Sequence, residues 1–226
     1  MAEYPAINKS LAQIKRNVTM KVGRKVEWIV CHYTAGAGTA EDNCTYFGRQ
    51  QVGASADFFI DLDGSIWQFN ADLRNYYTYH CGCSSKYTKF VYNSNSIGIE
   101  MCGTGAEFTQ AQKDSLRALT TALMEDFGIA ADHVVRHYDC NTVRKLCPYA
   151  YCGTAAKDRK WAELHAYVTT KEDEEVEIDY EKMARYIWGY QNKKLEAVDA
   201  YQIIRDVRDE VNNLKKEVEE IKKSVG

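Results

Sequence analysis

The 226-residue chain has no basic excess: its formal net charge is -3 and its pI about 6.0. It also lacks any run of Lys or Arg interleaved with aromatics that would follow a phosphate backbone, so nucleic acid is not an expected partner. The first ten residues contain no continuous apolar stretch of the kind an export signal needs. Nowhere does an apolar run approach the roughly 18 residues that a bilayer crossing takes. These absences lead to the expectation of a protein made in a cytosol, with no membrane partner. Hydrophobic residues make up 45% of the chain, enough for a real core in one domain of ordinary size with an appendage.

Eight cysteines are present, at 31, 44, 81, 83, 102, 140, 147 and 152. Without an export signal, most are expected as thiols or metal ligands rather than disulfides. Cys81-Gly-Cys83, with Cys140 and Cys152, leaves three readings open: a second metal site, a disulfide, or buried thiols.

Residues 1–24 are mixed, with a short helical lead-in expected around Leu11 to Arg16. Val26-Glu-Trp-Ile-Val-Cys-His32 is an apolar, β-branched and aromatic run that predicts a buried strand ending at His32. Thr39, with Asp42 three residues on, predicts a capped helix through about Gln50. Ser55 to Ile60 and Ser65 to Phe69 are strand-like and joined by Asp61-Leu-Asp-Gly64, which predicts a hairpin because Asp and Gly tolerate positive φ. Residues 72–94 show little periodicity and predict a long loop. Ser96-Ile-Gly-Ile-Glu-Met-Cys102 predicts another buried strand, with Glu100 among apolar neighbours. Thr109 and Gln112 resemble a capping box, and Leu116, Leu119, Leu123, Met124 and Phe127 follow at helical spacing until Gly128. A last helix is expected over Trp161 to Val168. Strands alternating with helices, plus one hairpin, imply an α/β fold on a mixed sheet.

At Glu172 the composition shifts, with seven acidic residues and no basic one in 172–181. Helical stretches are expected near Tyr180 to Tyr190 and from about Ala197 onward. Ile204, Val207, Val211, Leu214, Val218, Ile221 and Val225 alternate three and four apart, the a/d seam of a coiled coil. Glu210 with Lys215, and Glu217 with Lys222, then pair opposite charges across a parallel partner. A homo-oligomer through this helix is one reading; packing of the stripe on its own domain is the other.

Two further stretches carry the chemistry. Cys31-His-Tyr-Thr34 and the run from His137 to Pro148 contain His32, His137, Lys145 and Cys147. Two histidines and a cysteine supply three ligands to a zinc ion and leave a fourth position for water, the ligand count of a catalytic site.

Val30-Cys-His-Tyr-Thr-Ala35, Ser96-Ile-Gly-Ile-Glu100, Arg136-His137 and Lys145-Leu-Cys-Pro148 resemble the zinc-dependent type 2 N-acetylmuramoyl-L-alanine amidases. That family includes phage endolysins, muropeptide amidases and peptidoglycan recognition proteins. The resemblance covers about residues 25–168. It implies one Zn²⁺ held by His32, His137 and Cys147, each deprotonated at its ligating atom, so metal affinity should fall at low pH. Glu100 matches the general base and Lys145 the basic residue that stabilises the oxyanion. Tyr33, Thr34, His80 and Asn95 are assigned to substrate contact. The chain departs from the pattern at Ser55-Ala-Asp-Phe58, where many phage relatives carry His or Tyr-His, which leaves Glu100 the better base. Asp57 there is a candidate for orienting a ligating histidine.

The domain reading is a zinc amidase catalytic domain over 1–170, an acidic linker over 171–179 and a helical domain over 180–226. The implied reaction is hydrolysis of the amide between N-acetylmuramic acid and L-alanine in peptidoglycan. An endolysin acting at the cell wall after holin-type release is the leading expectation. A cytosolic muropeptide-recycling amidase and a non-cutting wall-binding module are the alternatives.

Overall fold

The computed structural model describes residues 2–81, 91–140 and 145–171, together with 208, 209, 211–213 and 216. Contacts divide the chain into two units, Met1–Glu172 and Asp173–Gly226. In the second unit the described residues are helical. The acidic linker, the helix near 180–190, and most of the heptad stripe and of the expected 180–226 domain lie outside the described residues.

The first unit contains, in chain order, β1 (Ile7–Asn8), β2 (Val18–Met20), β3 (Trp28–Tyr33), α1 (Ala40–Arg49), β4 (Phe58–Ile60), β5 (Ile66–Gln68), β6 (Tyr76–Thr78), β7 (Ser96–Met101), α2 (Gln110–Phe127), β8 (Val134–Arg136), α3 (His137–Cys140) and α4 (Ala155–Thr169). Six strands form one sheet in the order β1-β5-β4-β7-β3-β8. All neighbours are parallel except the β4–β5 hairpin. The expected mixed α/β sheet flanked by helices is therefore what the unit forms.

The pleat of the two central strands sorts their side chains. Ile29 and Cys31 of β3 and Ile97, Ile99 and Met101 of β7 enter one core with Leu116, Leu119 and Leu123 of α2 and Leu164 and Val168 of α4. Alternate residues point to opposite faces of a strand, so Val30 and His32, with Ser96, Gly98 and Glu100, take the other face. Burial on both sides explains why β3 and β7 read as continuous apolar runs.

Local chemistry sets the helix ends. Thr39 and Asp42 form a reciprocal capping box, as do Thr109 and Gln112, and Gly128 closes α2 in the left-handed conformation at φ 67°. The side-chain amide of Gln112 then donates to the carbonyls of Ile60 and Cys102, joining the start of α2 to the ends of β4 and β7. In the hairpin turn, Gly64 has φ +87° and a Cβ there would lie 2.8 Å from the Ala111 carbonyl oxygen, so both backbone and space require glycine.

Three local expectations differ from the fold. The helical lead-in at Leu11 to Arg16 is absent. Gln13 instead uses its side chain to bind the backbone of Lys15 and Arg16, and its main chain bonds to Phe69 and Ala71. The expected loop over 72–94 contains β6, which pairs antiparallel with β2; three residues are too few to show a period, and the partner strand lies far away in sequence. Helix α4 begins at Ala155 rather than near Trp161, because its first turns are mostly exposed and so carry no apolar periodicity.

Candidate metal centre and hydrolytic site

His32 ends up at the site because β3 runs in register between β7 and β8. Its direct partner on β7 is Glu100. His137 follows immediately on β8, as the first residue of α3. Cys147 is brought back by its backbone, whose carbonyl accepts the N–H of Tyr138 at 2.9 Å. The Cys147–Pro148 peptide is cis.

The ligand atoms of His32, His137 and Cys147 all lie within 4.8 Å of one another, and all three residues are buried. The His32 and His137 rings meet edge to face with centroids 4.7 Å apart. His32 Nδ1 is 3.8 Å from Cys147 Sγ. That is long for a hydrogen bond, but two ligands on one tetrahedral zinc, at about 2.0 and 2.3 Å, stand roughly 3.5 Å apart. His137 Nδ1 is buried with no hydrogen-bond partner, and such an orphan is uncommon unless something absent completes it. Donor types, spacing and the orphaned nitrogen fit a zinc ion. Burial holds His137 down to about 3 and His32 well below its ordinary value, so both rings are neutral at pH 7. Burial, reinforced by Glu100, pushes the Cys147 thiol up to about 12, so its proton must leave when a cation arrives.

Glu100 Oε2 is also buried without a partner. Burial raises its carboxyl to about 7, against the opposing pull of the Lys145 ammonium. Lys145 itself is exposed. A carboxylate poised near neutrality beside a cation is suited to taking and returning a proton.

The other candidates are distributed around this centre. Tyr33 lines an open cavity of about 380 Å³, with Leu62, Met101, Gly105 and Phe108 among its walls. Thr34 exchanges hydrogen bonds with Gly103 through its hydroxyl. Asn95 lies at the opposite end of β7 from Glu100, where it caps a single turn by accepting the Tyr92 N–H. His80 is only 8% exposed and touches His32 rather than the cavity. Asp57 is fully buried and accepts from Asn70, Thr78 and the Gly98 N–H, so its hydrogen bonds support strand β7 and not a histidine. Among the described residues no second metal cluster forms, and the seven described cysteines are buried; Cys83 lies outside them.

Sequence reasoning missed Ser96 and Gly98. Both lie on the Glu100 face of β7, two residues apart, and small residues at every second position before a lone carboxylate were the available signal. It also missed Arg136 as a hub. Its guanidinium grips Asp139 with two nitrogens and also binds Asp158 and the Tyr151 carbonyl, tying β8 to the segment that carries Cys147 and to α4.

A model of the family described as N-acetylmuramoyl-L-alanine amidase matches residues 22–150. The chain is 30% identical over 177 residues to the 1,6-anhydro-N-acetylmuramyl-L-alanine amidase AmpD of Enterobacter cloacae, covering 76% of this chain and 88% of that protein. It is 29% identical over 128 residues to the N-acetylmuramoyl-L-alanine amidase CwlA of Bacillus subtilis (strain 168), covering 55% and 44%. The PlyG catalytic domain has the same fold, with a TM-score of 0.58 at 20% identity over 75% of this chain and 98% of that one.

Proposed function

Since the chain belongs to the N-acetylmuramoyl-L-alanine amidase family, we propose that it hydrolyses the amide between N-acetylmuramic acid and L-alanine in peptidoglycan. One zinc ion is held by His32, His137 and Cys147. The observation that carries this reading is the convergence of those three ligand atoms within 4.8 Å, on the same sheet face as Glu100, one of whose carboxylate oxygens is buried without a partner.

When bound, zinc supplies a Lewis acid that acidifies water and polarises a carbonyl. Glu100 takes the proton of the attacking water at its buried carboxylate while the new C–O bond forms. Lys145 balances the negative charge that grows on the carbonyl oxygen, an electrostatic contribution typically about 3 kcal/mol. As the C–N bond breaks, Glu100 returns the proton to the departing L-alanine nitrogen.

Within this activity we favour a phage endolysin cutting intact wall. The heptad stripe over 204–225 supports it, because several catalytic domains on one oligomer hold an insoluble polymer by avidity. Cytosolic muropeptide recycling is the second reading, favoured by similarity along 88% of a protein named for 1,6-anhydro substrates. Mass spectrometry of digested sacculi and of soluble anhydromuropeptides, with a chelator control, tests both. Free stem peptides beginning with L-alanine are expected, and their absence from both substrates would remove the amidase reading. Preference for the soluble substrate would favour recycling.

A further inference from the structure

A buried line of hydrogen bonds leads from the metal centre to a main-chain carbonyl. His32 Nε2 is 3.0 Å from His80 Nδ1 and His80 Nε2 is 3.1 Å from Ser96 Oγ. Ser96 Oγ is in turn 2.5 Å from the carbonyl oxygen of Tyr92. This last bond orders all the others. A carbonyl oxygen only accepts, so Ser96 gives its single proton to Tyr92 and accepts from His80. The Cys81 thiol, 3.9 Å from Ser96 Oγ, is directed to Asn93 Oδ1 at 3.3 Å and does not compete for that proton.

With one proton on each ring, His80 carries its own at Nε2 and presents a lone pair at Nδ1. His32 must then donate from Nε2, which leaves its lone pair at Nδ1. That is the nitrogen facing Cys147 Sγ.

The surroundings are built to hold the His80 ring there. Asn93 Oδ1 accepts the backbone N–H groups of both His80 and Cys81, at 3.1 and 2.9 Å. The ring lies against Gly98, where a Cβ would be only 2.4 Å from His80 Cγ, closer than any side chain allows. Gly98 is in turn fixed by its N–H bond to Asp57 at 2.8 Å. A glycine inside a central strand thus leaves the space that one imidazole fills.

We infer that His80 is a positioning residue: with Ser96 it sets the tautomer of His32, so that Nδ1 is free to ligate before any metal arrives. This rests on the reading of His32, His137 and Cys147 as a zinc site. A partner on the second nitrogen of a ligating histidine typically contributes about 10–100-fold in metal affinity.

The test uses the full chain. Long-range ¹H–¹⁵N NMR of histidine-labelled, metal-free protein should find His32 and His80 both protonated at Nε2; a His32 protonated at Nδ1 would overturn the inference. Zinc affinity by competition with a chelator should fall about 10–100-fold in His80→Leu and less in Ser96→Ala. His80→Asn should recover most of it, because Asn Oδ1 can accept where imidazole Nδ1 did. Equal affinity in wild type and His80→Leu, with only KM raised, would make His80 a substrate contact instead. Wild-type protein that binds no zinc would remove the metal reading itself, and this inference with it.

Discussion

His32 and Glu100 are direct register partners on the parallel strands β3 and β7, so both side chains leave the sheet on the same face. Neighbouring strands lie about 4.8 Å apart, which puts the candidate metal ligand and the candidate proton acceptor side by side without any contribution from loops. Their surroundings differ. His32 has His80 on one nitrogen and Cys147 on the other, whereas Glu100 keeps one buried oxygen with no partner.

Replacing that carboxylate should separate binding from chemistry. Glu100→Gln keeps the shape and the zinc but cannot take a proton, so turnover should fall about 10²–10⁴-fold with metal content unchanged. Assay of released stem peptides alongside metal analysis checks this, and near-normal turnover would remove Glu100 from the reaction.

The same substitution should stabilise the metal-free protein at high pH. The folded value of Glu100, about 7, lies above its ordinary 4.5. Its contribution therefore favours the fold fully below about 4.5 and is lost as pH rises through about 7. At pH 8, Glu100→Gln should be more stable than wild type by on the order of 1–3 kcal/mol, at about 1.4 kcal/mol per pKa unit. That gain should shrink progressively toward pH 4. Urea unfolding of chelated protein at both pH values measures it, and a difference independent of pH would contradict the assignment.

Arg136→Lys should destabilise the first unit by about 2–3 kcal/mol, although charge is conserved. A lysine cannot reproduce the two-nitrogen grip on Asp139 while also reaching Asp158 and the Tyr151 carbonyl. Thermal unfolding should register the loss, with some weakening of zinc binding because His137 follows directly in the chain.

Removing Asp57 should be costly for a different reason. Asp57→Ala would leave the Gly98 N–H and the Thr78 hydroxyl unpaired in the interior and the Asn70 amide with only the Tyr76 carbonyl, at roughly 1–3 kcal/mol for each buried group left unsatisfied. A drop in stability below about 1 kcal/mol would mean that these groups find other partners.

The heptad stripe makes an independent prediction. Val211→Asp and Val218→Asp, both at a positions, should convert an oligomer of the full chain into a monomer in sedimentation velocity. Turnover on soluble substrate should stay unchanged while lysis of intact wall falls. A wild-type monomer would leave the stripe with another role.

Much of the fold was legible in sequence because its signals are local. Capping residues bind backbone within one turn, as Thr39 and Thr109 do, and the Asp61–Gly64 turn closes on itself. The runs of β3 and β7 announce burial because their central residues, from Ile29 to His32 and from Ser96 to Ile99, are buried on both faces of the sheet. The elements that went unread have distant causes. β6 exists only because β2 pairs with it, and the lead-in at Gln13 follows the main chain of Phe69 and Ala71 rather than a helical period.

The sequence by itself determined which residues could carry the chemistry: His32, His137 and Cys147 as ligand types, and Glu100 and Lys145 as acid–base and charge partners. Residue identity and motif order are properties of the chain. What only the tertiary structure decided is how each of them is held. It turned His80 away from the cavity and onto His32, gave Asp57 to Gly98, and left Glu100 Oε2 and His137 Nδ1 without partners. Hydrogen-bond direction and desolvation depend on which groups meet across the sheet, and residues far apart in sequence meet only once the strands are in register.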